Sequence, residues 1–278
     1  PRGTASVVGL AAMCLRQRDP EAVMAVLTAD HFIEDVNRFQ DLLRAAAAVA
    51  GDGYLVTLGI EPAYAATGYG YIQRGEALGT YHAHVAHRVL RFKEKPDEAT
   101  AQAMLREGDH DWNSGMFIWR VDRIWEAFEQ LMPDLAEKLA EIERAWAGDQ
   151  RAAVLNSVWH TIQPEAIDYG VMEKSHQTAV LSGYGLGWND VGSWDSLFEV
   201  LETDCNGNLV LTADHLGLDT RRSLVCSEQP DRLIVTVGVE DLIIVDTGTA
   251  LLVCSKGAAQ RVRQVVEQLK QQGKEYYL

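Results

Sequence analysis

Apolar positions recur at helical spacing from Thr4 to about Arg18, with Thr4 as N-cap and Asp19-Pro20 as the stop. AVMAVLT then runs apolar without alternation, which predicts a short, fully buried strand. DVNRFQDLLRAAAAVAG returns to helical spacing, and YLVTLGI is a second continuous apolar strand. This helix, strand, helix, strand alternation predicts an α/β domain with a mostly parallel sheet. Ligands gather at the carboxyl ends of strands in such sheets, the zone into which Asp30 and His31 fall just past AVMAVLT.

A Gly-rich loop, TGYGY, leads into strand-like segments around YIQRGEAL and HVAHRVLRFKEK, a helix over DEATAQAMLREG and a strand over GMFIWRV. A long helical region covers roughly Asp122 to Ala147, broken at Pro133, and a second helix reaches to His160. IDYGVMEK, AVLSGYGLGWNDVG and a short helix, SWDSLFEVLE, complete the first domain. Beyond Asp204 short β-rich runs (SLVCS, RLIVTVGV, DLIIVDT, ALLVCS) alternate with turns, and a final helix, AQRVRQVVEQLKQQ, closes the chain. The domains are therefore drawn at residues 1–203 and 204–278.

Composition narrows the function classes. The chain has 278 residues, 47% hydrophobic and 23% charged, as an ordinary globular protein does. Its 40 acidic against 25 basic residues give a net charge of −15, which disfavours nucleic acid and anionic membranes as partners. A phosphate-bearing ligand would need a few well-placed cations or N–H groups. Cys14, Cys205, Cys226 and Cys254 are widely separated, which indicates neither a zinc site nor a disulfide framework. The most hydrophobic region, LIVTVGVEDLIIVDTGTALLVCS, is interrupted by Glu240, Asp241 and Asp246, and no signal peptide opens the chain, so the reading is cytoplasmic.

Candidate chemistry lies at strand ends and turns. Asp30 and Asp190 are carboxylates of the kind that, converging on one cleft, hold Mg²⁺ together with phosphate oxygens, whereas each taken singly reads first as a turn or cap residue. FKEKP places Glu94 and Lys95 where a strand runs out. They form either a surface ion pair or, if the chain bends at Pro96, a carboxylate for hydroxyls beside an ammonium for a phosphate. WNSGMF sets the Asn113 amide near a glycine, which suits a sugar hydroxyl or a plain turn. TGYGY is followed by no helix and is not a dinucleotide fingerprint. In HAHVAH, His82 and His84 would share a strand face with His87 opposite, which disfavours a metal site.

Taken together, DPEAVMAVLTADHFI, TGYGYI, FKEKP, WNSGMF, IDYGVMEK and WNDVGSW, in that order, resemble the mannose-1-phosphate guanylyltransferase (GDP-mannose pyrophosphorylase) family over essentially the whole chain. The resemblance implies a Rossmann-like nucleotidyltransferase domain with a smaller β-helix-like C-terminal domain that offers a homodimer surface. It implies GTP and mannose 1-phosphate as substrates, GDP-mannose and pyrophosphate as products, and Mg²⁺ as cofactor. Carried over by position, Asp30 and Asp190 hold the metal. Gly70, Glu94, Asn113 and Asp168 contact the mannose, and Lys95 the sugar phosphate. Arg2, Gly3 and Thr4 of the opening RGTA meet the guanine base, with Ser6 where the family usually has proline. The family's glycine-rich G-G-x-G-T-R-L-x-P-L segment is not matched, so an N-terminally truncated catalytic domain is expected. The alternative is a non-catalytic sugar-nucleotide-binding homologue that has lost the triphosphate loop.

Overall fold

In the computed structural model, which describes residues 2–212, 214–229 and 231–278, the chain forms two compact units. One comprises residues up to 29 together with 33–188, the other 30–32 together with 189–278.

The first unit is built on a six-stranded sheet. Helix α1 (Gly3–Arg16) precedes β1 (Val23–Val26), and α2 (Val36–Gly51) connects onward to β3 (Leu55–Ile60). The short strands β2 (Phe32–Ile33) and β8 (Trp188–Asn189) pair with each other. Asp35 caps α2 by accepting from the Arg38 N–H at 2.9 Å, and Leu42, Ala45, Ala46, Val49 and Ala50 form its buried stripe at the i, i+3, i+4, i+7 spacing of a one-sided helix. β4 (Tyr71–Tyr81) and β5 (His84–Lys93) make a long hairpin, followed by α3 (Glu98–Glu107), β6 (His110–Arg120), the helices α4 (Val121–Leu131), α5 (Pro133–Ala145) and α6 (Arg151–Trp159), and β7 (Thr178–Ser182). Pro133 stands at the first turn of α5, where its missing N–H costs nothing, so the long helical region divides there.

The strand order is β1-β6-β3-β7-β5-β4. Only β3 with β7 is parallel, whereas β6 is antiparallel to β1, β3 and β4, and β5 to β4 and β7. The mostly parallel sheet expected from the alternation is thus a mixed one. β1 and β3 do run the same way, as a helical crossover requires, but β6 inserts between them, and the β4–β5 hairpin adds an antiparallel edge. Thr4 is not the N-cap either, since α1 begins one residue earlier and Arg2 holds that position.

In the second unit, β9 (Leu209–Leu211), β11 (Leu224–Ser227) and β13 (Leu242–Asp246) stack in parallel, with β14 (Leu251–Ser255) antiparallel to β13. β10 (Asp214–Leu218) and β12 (Leu233–Val237) form a second parallel pair. Successive turns of chain lying over one another give a small β-helix-like body whose core is Leu209, Leu224, Ile243, Val245 and Ala259. The short helix α7 (Leu197–Val200) precedes these strands, and α8 (Val262–Gln271) follows them. No helix among the described residues is long and apolar enough to cross a membrane.

Candidate functional site

β6 changes neighbour along its length. His110–Trp112 pair with β4, whereas Phe117–Arg120 pair with β1, and the register against β3 slips between Thr57 and Gly59. Gly115 takes up the irregularity with a left-handed backbone (φ 70°). Such a bulge re-aims the side chain beside it, here Asn113. The Asn113 N–H donates to the Gly70 carbonyl at 2.8 Å, which fixes the TGYGYI loop against the bulge.

The Asn113 amide is held in one orientation. Its Oδ1 accepts from the Thr57 hydroxyl at 3.2 Å and the Gly115 N–H at 3.1 Å, and its Nδ2 donates to Asp168 Oδ1 at 2.9 Å. The second N–H of Nδ2 has no partner among the described residues. Thr57 escaped the sequence reading, although a fully buried hydroxyl within the apolar run Leu55–Ile60 is a signal that something polar faces it.

Strand β5 ends at Lys93, so Glu94 and Lys95 lie in a bend, not in the strand. Lys95 has φ 44°, an uncommon backbone for a non-glycine residue, and its ammonium donates to the Glu94 carboxylate. That bond holds the Lys95 ammonium above the usual lysine range, with Tyr169 and Asp168 acting in the same direction. Glu94 is largely covered while Lys95 stays half open. Gly70 completes the group. A Cβ there would overlap the Glu94 Oε2 atom, well inside the 3.4 Å of ordinary contact, and would press on Asn113.

Asp168 opens a single π-helical turn, closed by the Glu173 N–H on its carbonyl at 2.9 Å. Burial pushes its carboxyl above the usual carboxylate range and the nearby Glu94 carboxylate adds to this, against the bond from Asn113 and the charge of Lys95. Gly70, Glu94, Lys95, Asn113 and Asp168, scattered over a hundred residues of sequence, therefore form one polar cluster. It offers two carboxylates and an amide N–H suited to hydroxyls, and one ammonium suited to an anion.

The opening residues reach the same segment. Gly3 (φ 77°) packs on the Glu165 carbonyl so closely that a Cβ would overlap it. The Ala5 N–H donates to that carbonyl at 3.1 Å, and Thr4 Oγ1 accepts from the Ile167 N–H at 2.9 Å. Arg2 precedes this turn and is half-buried, and the Ser6 hydroxyl folds back onto the Arg2 and Gly3 carbonyls at 3.0 and 2.9 Å.

Asp30, His31 and Asp190 belong to the second unit. Burial draws the His31 imidazole below its usual range, while the Asp30 and Asp190 carboxylates both act to draw it up. The turn after Asp190 is strained. Val191, β-branched, has φ 47° with its N–H bonded to Asn189 Oδ1 at 2.7 Å, and the Gly192 N–H donates to Asp190 Oδ1 at 3.3 Å. Two carboxylates presented this way are hard oxygen donors of the kind that suit Mg²⁺. In the histidine stretch, His82 lies in the left-handed turn between β4 and β5 (φ 46°), not in a strand, and His87 Nδ1 meets the Gly75 carbonyl at 3.1 Å.

Comparison with known proteins aligns with this layout. A family model described as "Nucleotidyl transferase" matches residues 1–207, and one described as "MannoseP isomerase/GMP-like beta-helix domain" matches residues 213–269. The chain is 39% identical over 277 residues to a mannose-1-phosphate guanylyltransferase of Klebsiella pneumoniae, covering 99% of this chain and 58% of that protein. It is also 39% identical over 277 residues to the xanthan biosynthesis protein XanB of Xanthomonas campestris pv. campestris, covering 98% of this chain and 56% of that one. The crystal structure described as mannose-1-phosphate geranyltransferase from Thermus thermophilus superposes with a TM-score of 0.82 at 31% identity, over 97% of this chain and 76% of that chain. The chain thus spans under three-fifths of the length of these curated relatives, 58% and 56%.

Proposed function

The chain belongs to the mannose-1-phosphate guanylyltransferase family of nucleotidyl transferases, and from that premise we propose that the protein transfers GMP from GTP to mannose 1-phosphate, giving GDP-mannose and pyrophosphate. In this reaction a phosphate oxygen of the sugar attacks the α-phosphorus of GTP, and the bond to the departing pyrophosphate breaks. No covalent enzyme intermediate is needed, so rate comes from positioning and from neutralising anions that repel.

The observation that carries the reading is the single cluster of Gly70, Glu94, Lys95, Asn113 and Asp168. In it Glu94 and Asp168 would accept from mannose hydroxyls, the spare Asn113 N–H would donate to one, and Gly70 would let the ring approach. Lys95 would supply local positive charge for the sugar phosphate in a chain of net charge −15. Asp30 and Asp190 would hold Mg²⁺, whose bound charge neutralises phosphate oxygens. Arg2, Gly3 and Thr4 would meet the base. Thr4 already accepts from the Ile167 N–H, which leaves its hydroxyl proton and one lone pair for a ligand.

The reading extends to a cytoplasmic setting, where GTP is at hand, and to a homodimer through the C-terminal unit. Leu216, Leu218, Leu233, Val235 and Val237 stand exposed there on the paired strands β10 and β12. The test is calorimetric titration with GDP-mannose in Mg²⁺, with ADP-glucose as control, beside a pyrophosphate-release assay with GTP and mannose 1-phosphate. Selective binding with turnover is expected. Failure of a chain that circular dichroism shows to be folded to bind GDP-mannose would overturn the proposal, and binding without turnover would favour the non-catalytic alternative.

A further inference from the structure

The turn between α3 and β6 gathers three ligating side chains that the reading above does not use. Glu107 ends α3, Gly108 closes the helix in the left-handed region (φ 74°), and Asp109 and His110 lead into β6. One donor atom from each of Glu107, Asp109 and His110 lies within 4.8 Å of the others. His110 is 5% exposed, and its Nδ1 is 2.7 Å from Asp109 Oδ1 and 3.5 Å from Glu107 Oε2. Yet neither that Nδ1 nor that Oδ1 has a hydrogen-bond partner among the described residues. The two atoms form a close ion-pair contact whose geometry falls outside that of a well-aligned hydrogen bond. Ligand atoms bound about 2.0–2.2 Å from one first-row cation sit roughly 3 Å from one another, near the spacing of His110 Nδ1 from each of the two carboxylate oxygens.

We propose that Glu107, Asp109 and His110 bind a borderline divalent cation of the Zn²⁺ class, with water completing the shell. One imidazole and two carboxylates suit Zn²⁺ or Co²⁺ better than Mg²⁺, which prefers an all-oxygen octahedral shell. The last carbonyls of α3 carry partial negative charge toward the same turn. Gln73 Nε2 donates to the other carboxylate oxygen of Asp109 at 3.0 Å and so orients Oδ1, as outer-shell partners of metal ligands do. The Arg74 guanidinium is bonded to the Gly108 carbonyl at 2.7 Å and paired with the fully buried Asp111, which balances its charge. A cation here would tie the end of α3 to the strand that carries Asn113.

The experiment is calorimetric titration of the tag-free, chelator-treated chain with ZnCl₂ in excess Mg²⁺, with Co²⁺ absorption spectra as a second probe. One ion per chain is expected. E107Q and D109N should each weaken it by roughly tenfold or more, since even outer-shell changes cost 10–100-fold. H110A should remove the ligand-field bands that a nitrogen ligand gives. Because His110 is buried and its variant can unfold, the conservative E107Q and D109N carry the test. D190N should leave zinc binding unchanged. Absence of a site that survives excess Mg²⁺, retention of full affinity in E107Q and D109N, or loss in D190N would each overturn the proposal.

Discussion

Gly70→Ala puts a methyl group in place of a hydrogen at the one point where the TGYGYI loop meets both Glu94 and Asn113. The new methyl would overlap Glu94 Oε2, so the carboxylate must retreat by about 1 Å to reach ordinary contact. Doing so takes Oε2 from the place where a sugar hydroxyl would meet it and strains the Oε1 bond to Lys95. Misplacement of a binding group by this distance costs about 10²-fold in rate, or about 2.7 kcal/mol. The backbone at Gly70 lies outside the left-handed region, so alanine is conformationally allowed, and its lower unfolded-state entropy offsets part of the crowding. Expected, then, are a thermal midpoint within a few degrees of wild type, a kcat/KM for mannose 1-phosphate down about 10²-fold, and a GTP dependence left nearly as it was. Initial rates of pyrophosphate release with each substrate varied in turn give the comparison. Wild-type kinetics in a variant whose crystal structure shows Glu94 displaced would refute the reasoning, as would an equal penalty on both substrates.

Three further outcomes are expected. Lys95→Ala should raise the mannose 1-phosphate requirement by roughly 10–100-fold, the worth of one charge-assisted bond, and affect GTP far less. Asp190→Asn should lower turnover by on the order of 100-fold or more while circular dichroism shows an intact fold; near-normal activity would remove Asp190 from the metal site. Asp168 has its folded-state pKa raised, so the stability linked to its proton is complete below the ordinary carboxylate range and is lost as pH rises through the shifted value. Asp168→Asn should therefore raise the thermal midpoint at neutral pH, by an amount that vanishes on acidification, while weakening mannose 1-phosphate binding about tenfold; a neutral-pH midpoint below wild type would refute the burial account.

Much of this was legible in the sequence where local physics decides. The capped, one-sided spacing of α2 and the proline break before α5 both announce themselves. The family resemblance drawn from six ordered motifs is borne out by the matched models and relatives. Periodicity carries no information about strand order, however, so the insertion of β6 between β1 and β3 was hidden, and the sheet proved mixed. FKEKP raised the right question, but only the left-handed backbone of Lys95 shows how both side chains serve one cluster. Thr57 was lost among apolar neighbours because its partner Asn113 lies on a different strand. The bulge at Gly115 arises from pairing with β3, which no window of sequence contains.

The exchange of partners along β6 has a kinetic side. Asn113 takes its final geometry only when Thr57, Gly70 and Asp168 have all arrived, and these contacts span long loops. Contacts of that separation form late in folding, after local helices and the β4–β5 hairpin. A growing chain that has not yet delivered Asp168 has no complete cluster to offer a ligand. Ligand bound there would thus hold shut the last seam to close, so the native state, and none of its precursors, would be the species that such a ligand stabilises.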